Sequence, residues 1–158
     1  MERDPTDILA WQRLSERLTT SGRLQEHDPA RLADIGVKHV IYLAMADHPE
    51  ALPDAEAAFA AQGIGYTHIP VPFAAPEEAH YAAFVAALEA AEAPVHVHCI
   101  MNWRVSAFFY RYHRDACGMP EPEARALMER QWSPEHSDYP DAPQWAAFIL
   151  RQAQDERE

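Results

Sequence analysis

Cysteine is scarce in this chain: there are two in 158 residues, Cys99 and Cys117. Two are too few for a disulfide framework, which excludes a small stapled scaffold. A single bridge between them is disfavoured in a reducing compartment. Positive charge is scarce as well, with 13 Lys and Arg against 25 Asp and Glu and a net charge of −12. That balance argues against a nucleic-acid backbone or an anionic membrane as the main partner. It also means that a phosphate substrate must be won by a local cluster of positive groups against long-range repulsion. No apolar run approaches the roughly 18 residues needed to cross a bilayer. The N-terminal stretch MERDPTDILAWQRL is charged and lacks the apolar centre of a signal peptide. The expected location is therefore cytoplasmic. Internal repeats and low-complexity linkers are missing too, and the length suits one compact domain over residues 1–158.

What is present is an alternation of strand and helix signals. LTTSGRL (Leu18 to Leu24) reads as a short strand running into a Ser-Gly turn. Asp28-Pro29 predicts a helix with Asp28 as N-cap and Pro29 at the first helical position, running to about Asp34 and stopped by Gly36. KHVIYLA (Lys38 to Ala44) and GYTHIPV (Gly65 to Val71) are strand signals, separated by a helix over Pro53 to Gly63. A long helix follows over Pro76 to Ala91, with Phe84 and Leu88 on one apolar face. PVHVHC (Pro94 to Cys99) is the last strand. Helices are predicted over Arg104 to Ala116, Glu121 to Trp132 and Asp141 to about Gln152. This order predicts an α/β fold, a mostly parallel central sheet of about four to five strands flanked by helices. In such sheets ligands bind at the carboxyl ends of the strands, and Cys99 stands at one.

The stretch VHVHCIMNWR (Val95 to Arg104) concentrates the chemistry. A helix N-terminus presents unpaired backbone N–H groups and a partial positive charge. A cysteine beside it is favoured as the thiolate, the nucleophilic form. The same amides, on Ile100, Met101, Asn102 and Trp103, can cradle an oxyanion. Arg104 adds a planar fork that grips two anion oxygens. One loop would thus supply nucleophile, cradle and clamp. Alternatively, Cys99 is a buried apolar filler and Arg104 a surface charge.

His98-Cys99, Arg104 and Ser106 resemble the signature loop of the cysteine-dependent protein tyrosine and dual-specificity phosphatases. The chain is similar, more closely, to a bacterial group of small tyrosine-phosphatase-like proteins. That similarity lies in TTSGRL (Thr19 to Leu24), LADIGVKHVIYL (Leu32 to Leu43), YTHIPVPFAAP (Tyr66 to Pro76) and PVHVHCIMNWRVSAFFYRY (Pro94 to Tyr112), and covers roughly residues 15 to 135. The resemblance implies the cysteine-dependent phosphatase fold and hydrolysis of a phosphomonoester through a cysteinyl phosphate on Cys99. It implies that Arg104 holds the equatorial oxygens, that His98 tunes the thiolate and that Ser106 assists breakdown of the intermediate. It implies no cofactor and no metal. The partner it implies is a phosphorylated small molecule or phosphoprotein whose oxyanion sits in the loop.

The loop departs from the family pattern. Four residues separate Cys99 from Arg104 where the pattern has five, and Asn102 stands at the usual loop glycine; Asn tolerates positive φ better than most residues. A six-residue loop resembles that of rhodanese-type sulfurtransferases, so a persulfide on Cys99 is an alternative chemistry. A phosphate- or phosphopeptide-binding module without turnover is a further alternative. The loop over Pro70 to Glu78 has no aspartate to act as general acid. Glu77 is the candidate there, with Glu78 beside it, although acids in a first helical turn also serve the helix dipole. Asp47 with His48, after another strand, is a weaker candidate. His96 and His98 share one strand face; with Cys99 they suggest a metal site less readily than a supporting role under the loop. Arg111 and Arg114 follow Arg104 as either a positive stripe or a solvated face. Trp103 is either a pocket wall or a filler of the shortened loop.

Overall fold

The computed structural model describes residues 4–151. Residues 1–3 of the charged N-terminal stretch, and Gln152 at the expected end of the last helix, lie outside the described residues. Five strands form one sheet in the order β1-β2-β5-β3-β4. They are β1 (Gln12–Ser15), β2 (Leu18–Ser21), β3 (His39–Tyr42), β4 (Gly65–His68) and β5 (Val95–His98). β1 pairs antiparallel with β2, and every other pairing is parallel. The fold class expected from the alternation is the one observed. The expectation lacked β1: QRLS offers no run of β-branched or aromatic residues, and it is held as a hairpin edge by β2.

The helices are α1 (Asp28–Asp34), α2 (Ala55–Ala60), α3 (Glu78–Ala90), α4 (Trp103–Asp115), α5 (Glu121–Glu129) and α6 (Ala142–Leu150). A 3-10 turn over Pro134–His136 precedes α6. Asp28 is the first residue of α1 rather than its cap; its carboxylate turns back to accept the Gln25 amide at 2.7 Å, which closes the preceding turn. Gly36 ends α1 at φ 91°, as a left-handed stop requires. α5 ends at Glu129, three residues short of expectation, and Trp132 then folds onto the core.

Crossover helices bury the sheet on both faces, which is why β5 is buried at all four positions and β3 at three. On one face Val40 packs with Leu24, Leu32, Val37, Phe59 and Ile64 from the α1 and α2 side. On the other, Ile41, Val95 and Val97 meet Phe84 of α3, Phe108 of α4 and Phe148 of α6. α4 carries nine buried residues and is the central helix of that layer. Burial of this kind stabilises by about 25 cal/mol per Å² of apolar surface, so a single Phe is worth about 2–3 kcal/mol. No helix among the described residues is long and apolar enough to cross a membrane. The carboxyl ends of β3, β4 and β5 open on the same edge, and the loops after them build the site.

Candidate active site

The loop after β5 is held from below by β2. Ser21 pairs with His98 across the parallel ladder, so Gly22 lies beside the loop. The Arg23 amide donates to the Ile100 carbonyl at 2.9 Å. A Cβ on Gly22 would lie 2.5 Å from that carbonyl oxygen, so only glycine lets the two backbones approach. Asn102 makes the turn into α4 at φ 67°, ψ 12° and is fully buried. Its Nδ2 donates to the Ala10 carbonyl at 2.9 Å and to Thr20 Oγ1 at 3.1 Å. An alanine there would lose both bonds and keep the unfavourable φ.

These anchors leave a run of amides unspent. Among the described residues the N–H groups of Ile100, Met101 and Asn102 donate to no backbone carbonyl. The first α4 bond runs from the Ser106 amide to the Asn102 carbonyl, so the first-turn amides of Trp103 to Val105 are the orphans every helix start has. Above them lies a cavity of about 400 Å³ lined by His48, Phe73, Cys99, Ile100, Met101, Trp103, Arg104 and Tyr139. Cys99 is buried, at 1% exposure. Arg104 is 8% exposed, and its Nη1 is buried without a hydrogen-bond partner. Its guanidinium lies 5.4 Å from the Phe73 ring centroid. No carboxylate pairs with it among the described residues. A buried cation facing a cavity with no counterion is electrostatically unsatisfied, a cost that an anion in the cavity would relieve.

The walls are aromatic. Trp103 stacks on Trp132 with ring centroids 4.8 Å apart and planes 8° apart, and meets Tyr139 edge-on. Phe73 touches Trp103, Trp132, Tyr139 and Trp145. Its carbonyl also accepts the Trp145 indole N–H at 2.7 Å. The loop after β4 is thereby locked to α6. Trp103 is a pocket wall, the first of its two readings. His48 Nδ1 accepts the Glu50 amide at 2.9 Å, which leaves the proton on Nε2 as the free end of the ring. Phe73 and Tyr139 escaped the sequence reading because aromatic residues in loops look like core filler; only the way the loops converge separates the two roles.

Several expected site residues lie elsewhere. Ser106 gives its hydroxyl to the Trp103 carbonyl at 3.1 Å and faces Gln12 and Thr20 across a small void, not the Cys99 cavity. Two residues of helix turn the chain by about 200°, so Arg104 and Ser106 point to opposite sides of α4. Glu77 is exposed at the N-cap of α3, where its amide donates to His80 Nδ1 at 3.0 Å; the structure does not bring it to the cavity. Glu78 is committed to Arg111, at 2.8 and 3.0 Å. Arg111 is neither a stripe nor a solvated face: it is fully buried, with its guanidinium 4.1 Å from the Tyr81 ring centroid. Arg114 pairs with Asp115. Asp47 is exposed and does not line this cavity, whereas its neighbour His48 does.

The two strand histidines support the loop from beneath. Thr19 Oγ1 and Ser21 Oγ sit 2.8 Å from the Nδ1 and Nε2 of His96. Ser21 gives its hydroxyl hydrogen to the Gly22 carbonyl, so it accepts from His96 Nε2–H. His98 stacks on Tyr42 at 4.6 Å with both ring nitrogens unbonded. Burial drives its pKa down to about 3, so at neutral pH His98 offers Cys99 no positive charge. Burial holds His96 well below the usual imidazole range as well.

This pair makes stability pH-dependent. Unfolded histidines bind protons near pH 6.5, whereas His98 in the folded chain refuses one until about pH 3. Between those values the unfolded state holds more protons, so stability rises with pH, by up to about 1.4 kcal/mol per pH unit per histidine. Thermal melts should be flat above pH 7 and fall steadily from pH 6.5 to 4.5. His98→Phe, which keeps the ring stack and removes the titration, should give a shallower slope. An unchanged slope in the variant would overturn the assignment.

A family model for the phosphatase-like domain of beta-lactamase hydrolase-like proteins matches residues 10–110. A candidate phosphatase (DUF442) of Shewanella putrefaciens superposes with a TM-score of 0.77 at 28% identity, covering 90% of this chain and 92% of its own. A candidate phosphatase of Neisseria meningitidis gives 0.64 at 26% identity, over 74% of this chain and 84% of its own. P. aeruginosa TpbA, crystallised with phosphotyrosine, gives 0.72 at 20% identity, over 94% and 87%, a likeness of fold. No curated protein matches the sequence significantly.

Proposed function

The chain belongs to the phosphatase-like domain family of beta-lactamase hydrolase-like proteins, and from that membership we propose that it is a cysteine-dependent phosphatase of the tyrosine or dual-specificity type, with aryl phosphate monoesters as its favoured substrates. The observation that carries the reading is the unpaired, buried Arg104 guanidinium sharing one cavity with Cys99 and with the unspent amides of residues 100–102. The Cys99 thiolate attacks phosphorus; the S–P bond forms as the bond to the leaving oxygen breaks. The loop amides and Arg104 hold the three equatorial oxygens as charge spreads over them. Water then attacks the cysteinyl phosphate and returns the thiolate. His48 Nε2–H adds a neutral donor at the mouth. Apart from Arg104 and His48 the lining carries no basic side chain, and its other walls are rings and aliphatic groups. One phosphate on a flat ring suits that balance better than a polyphosphorylated ligand. The phosphotyrosine bound by the similarly folded TpbA supports the same class.

A second reading comes from the four-residue spacing between Cys99 and Arg104. The shorter loop also suits sulfur transfer, in which Cys99 takes the outer sulfur of thiosulfate, releases sulfite and passes that sulfur to cyanide. The two are separated by assaying p-nitrophenyl phosphate and thiosulfate with cyanide on the same sample. The aryl ester is the right probe because no carboxyl group lines the cavity among the described residues, and nitrophenolate leaves without a proton. Phosphate release that needs Cys99 and Arg104 is the expected result. Thiocyanate formation without phosphate release would overturn it in favour of sulfur transfer.

A further inference from the structure

The mouth of the cavity is apolar at its lip and acidic outside it. Met101 and Tyr139 line the cavity and are 41% and 46% exposed. Exposed carboxylates adjoin two of the lining residues along the chain: Asp47 beside His48 and Asp138 beside Tyr139. Asp47 lies close enough for its charge to help raise the Tyr42 phenol, behind the burial that mainly does so. Among the described residues neither Asp47 nor Asp138 is in an ion pair. Lys38, the single lysine of the chain, begins the β3 segment at the amino ends of the strands, where its amide meets Pro94. Arg23, next to the loop, lies 3.4 Å from Glu50. One anion-seeking guanidinium thus sits at the bottom of a well whose rim repels anions, within a chain of net charge −12.

We propose that the substrate is a basic polypeptide segment, in which the phosphorylated ring enters the well and lysine or arginine residues on either side meet the rim acids, while Met101 and Tyr139 cover the aliphatic stems. This rests on the phosphatase reading and adds the sequence context of the phosphorylated residue. Each Lys or Arg stem buries methylenes on the apolar lip while its charged end stays in water by a carboxylate. An acidic neighbour of the phosphate would meet like charge at the same places. The rim charges act at solvent exposure, so their effect falls mainly on encounter and is screened by salt.

The test uses two phosphotyrosine peptides of equal length, one with lysines and one with glutamates around the phosphorylated residue. At low ionic strength the basic peptide should have a kcat/KM about tenfold higher or more, and the ratio should shrink at physiological salt. The double variant Asp47→Asn, Asp138→Asn should bring the ratio toward one while leaving p-nitrophenyl phosphate hydrolysis unchanged. Equal rates for the two peptides, a preference for the acidic one, or a preference that survives the double variant would overturn the proposal with the phosphatase reading intact. Should p-nitrophenyl phosphate not be hydrolysed at all, that reading fails on its own. Binding of the two peptides to the Cys99→Ser protein, measured by fluorescence anisotropy, then decides the flank preference separately.

Discussion

Replacing Arg104 by methionine should make the protein more stable and inactive together. The guanidinium is buried, lacks a carboxylate partner among the described residues and leaves Nη1 unbonded. Burying a charge without a partner costs several kcal/mol even after relaxation. The Phe73 ring 5.4 Å away returns about 0.5–2 kcal/mol as a cation–π contact. The unliganded protein therefore carries a net cost that an anion removes. Methionine keeps the length and apolar stem and drops the charge. We expect the variant to gain about 1–2 kcal/mol, some 2–8 °C in a domain of this size. Its phosphatase rate should fall about 10²–10³-fold, the usual loss when a transition-state donor goes. Arg104→Lys should recover little activity, since a point charge cannot bridge two oxygens. In parallel, inorganic phosphate should raise the wild-type melting temperature and leave that of Arg104→Met unmoved; saturation to 100 times Kd corresponds to about 2.7 kcal/mol. A methionine variant that melts well below wild type would mean that Arg104 is held by structural contacts and is not waiting for a ligand.

The same residue shows what the sequence could and could not carry. Strand and helix signals in HVIY, VHVH and the alanine-rich segments are legible because buried parallel strands and amphipathic helices have distinct periods. The joint of β5 and α4 is legible because a cysteine at a strand end and an arginine at a helix start are placed by that local order alone. Asn102 can be read as a positive-φ substitute for glycine, and it is one. Ser106 cannot be placed from the motif, because shortening the loop by one residue rotates the rest of α4 by about 100°. The motif match presumes a phase that the helix does not have. Glu77 is a candidate by its distance along the chain, but the Phe73 aromatic cluster fixes that loop, and no rule of sequence spacing announces an aromatic hub built from residues 73, 103, 132, 139 and 145. The tuning of the Cys99 thiolate expected of His98 cannot come from a positive charge, because burial keeps the ring neutral, which its place in a motif does not reveal. β1 carries no signal of its own and exists because β2 offers it an edge.

Cys99→Ser separates holding the anion from breaking its ester. Serine keeps the volume of the side chain within a methyl group and leaves the amides of residues 100–102 and Arg104 in place. A hydroxyl is far less acidic than a thiol, and no base lies in the cavity to take its proton except His48, whose Nδ1 is occupied by the Glu50 amide and whose Nε2 carries the hydrogen. The variant should therefore lose at least about 10³-fold in kcat and still bind phosphate with a melting shift close to that of wild type. That combination cannot arise from misfolding, which would remove both. Acid-quenching the wild-type enzyme during turnover and digesting it should yield a Cys99 peptide heavier by one phosphoryl group, and the same peptide from the serine variant should be unmodified. A Cys99 peptide heavier by one sulfur atom, obtained after thiosulfate instead of a phosphate ester, would transfer the whole arrangement to sulfur chemistry. A serine variant that turns over at the wild-type rate would mean that the loop binds phosphate while the attacking group is water, and that the buried thiol is packing. Retained binding with lost turnover is the result that the placement of Cys99 at 1% exposure, lining the same cavity as Arg104, leads us to expect.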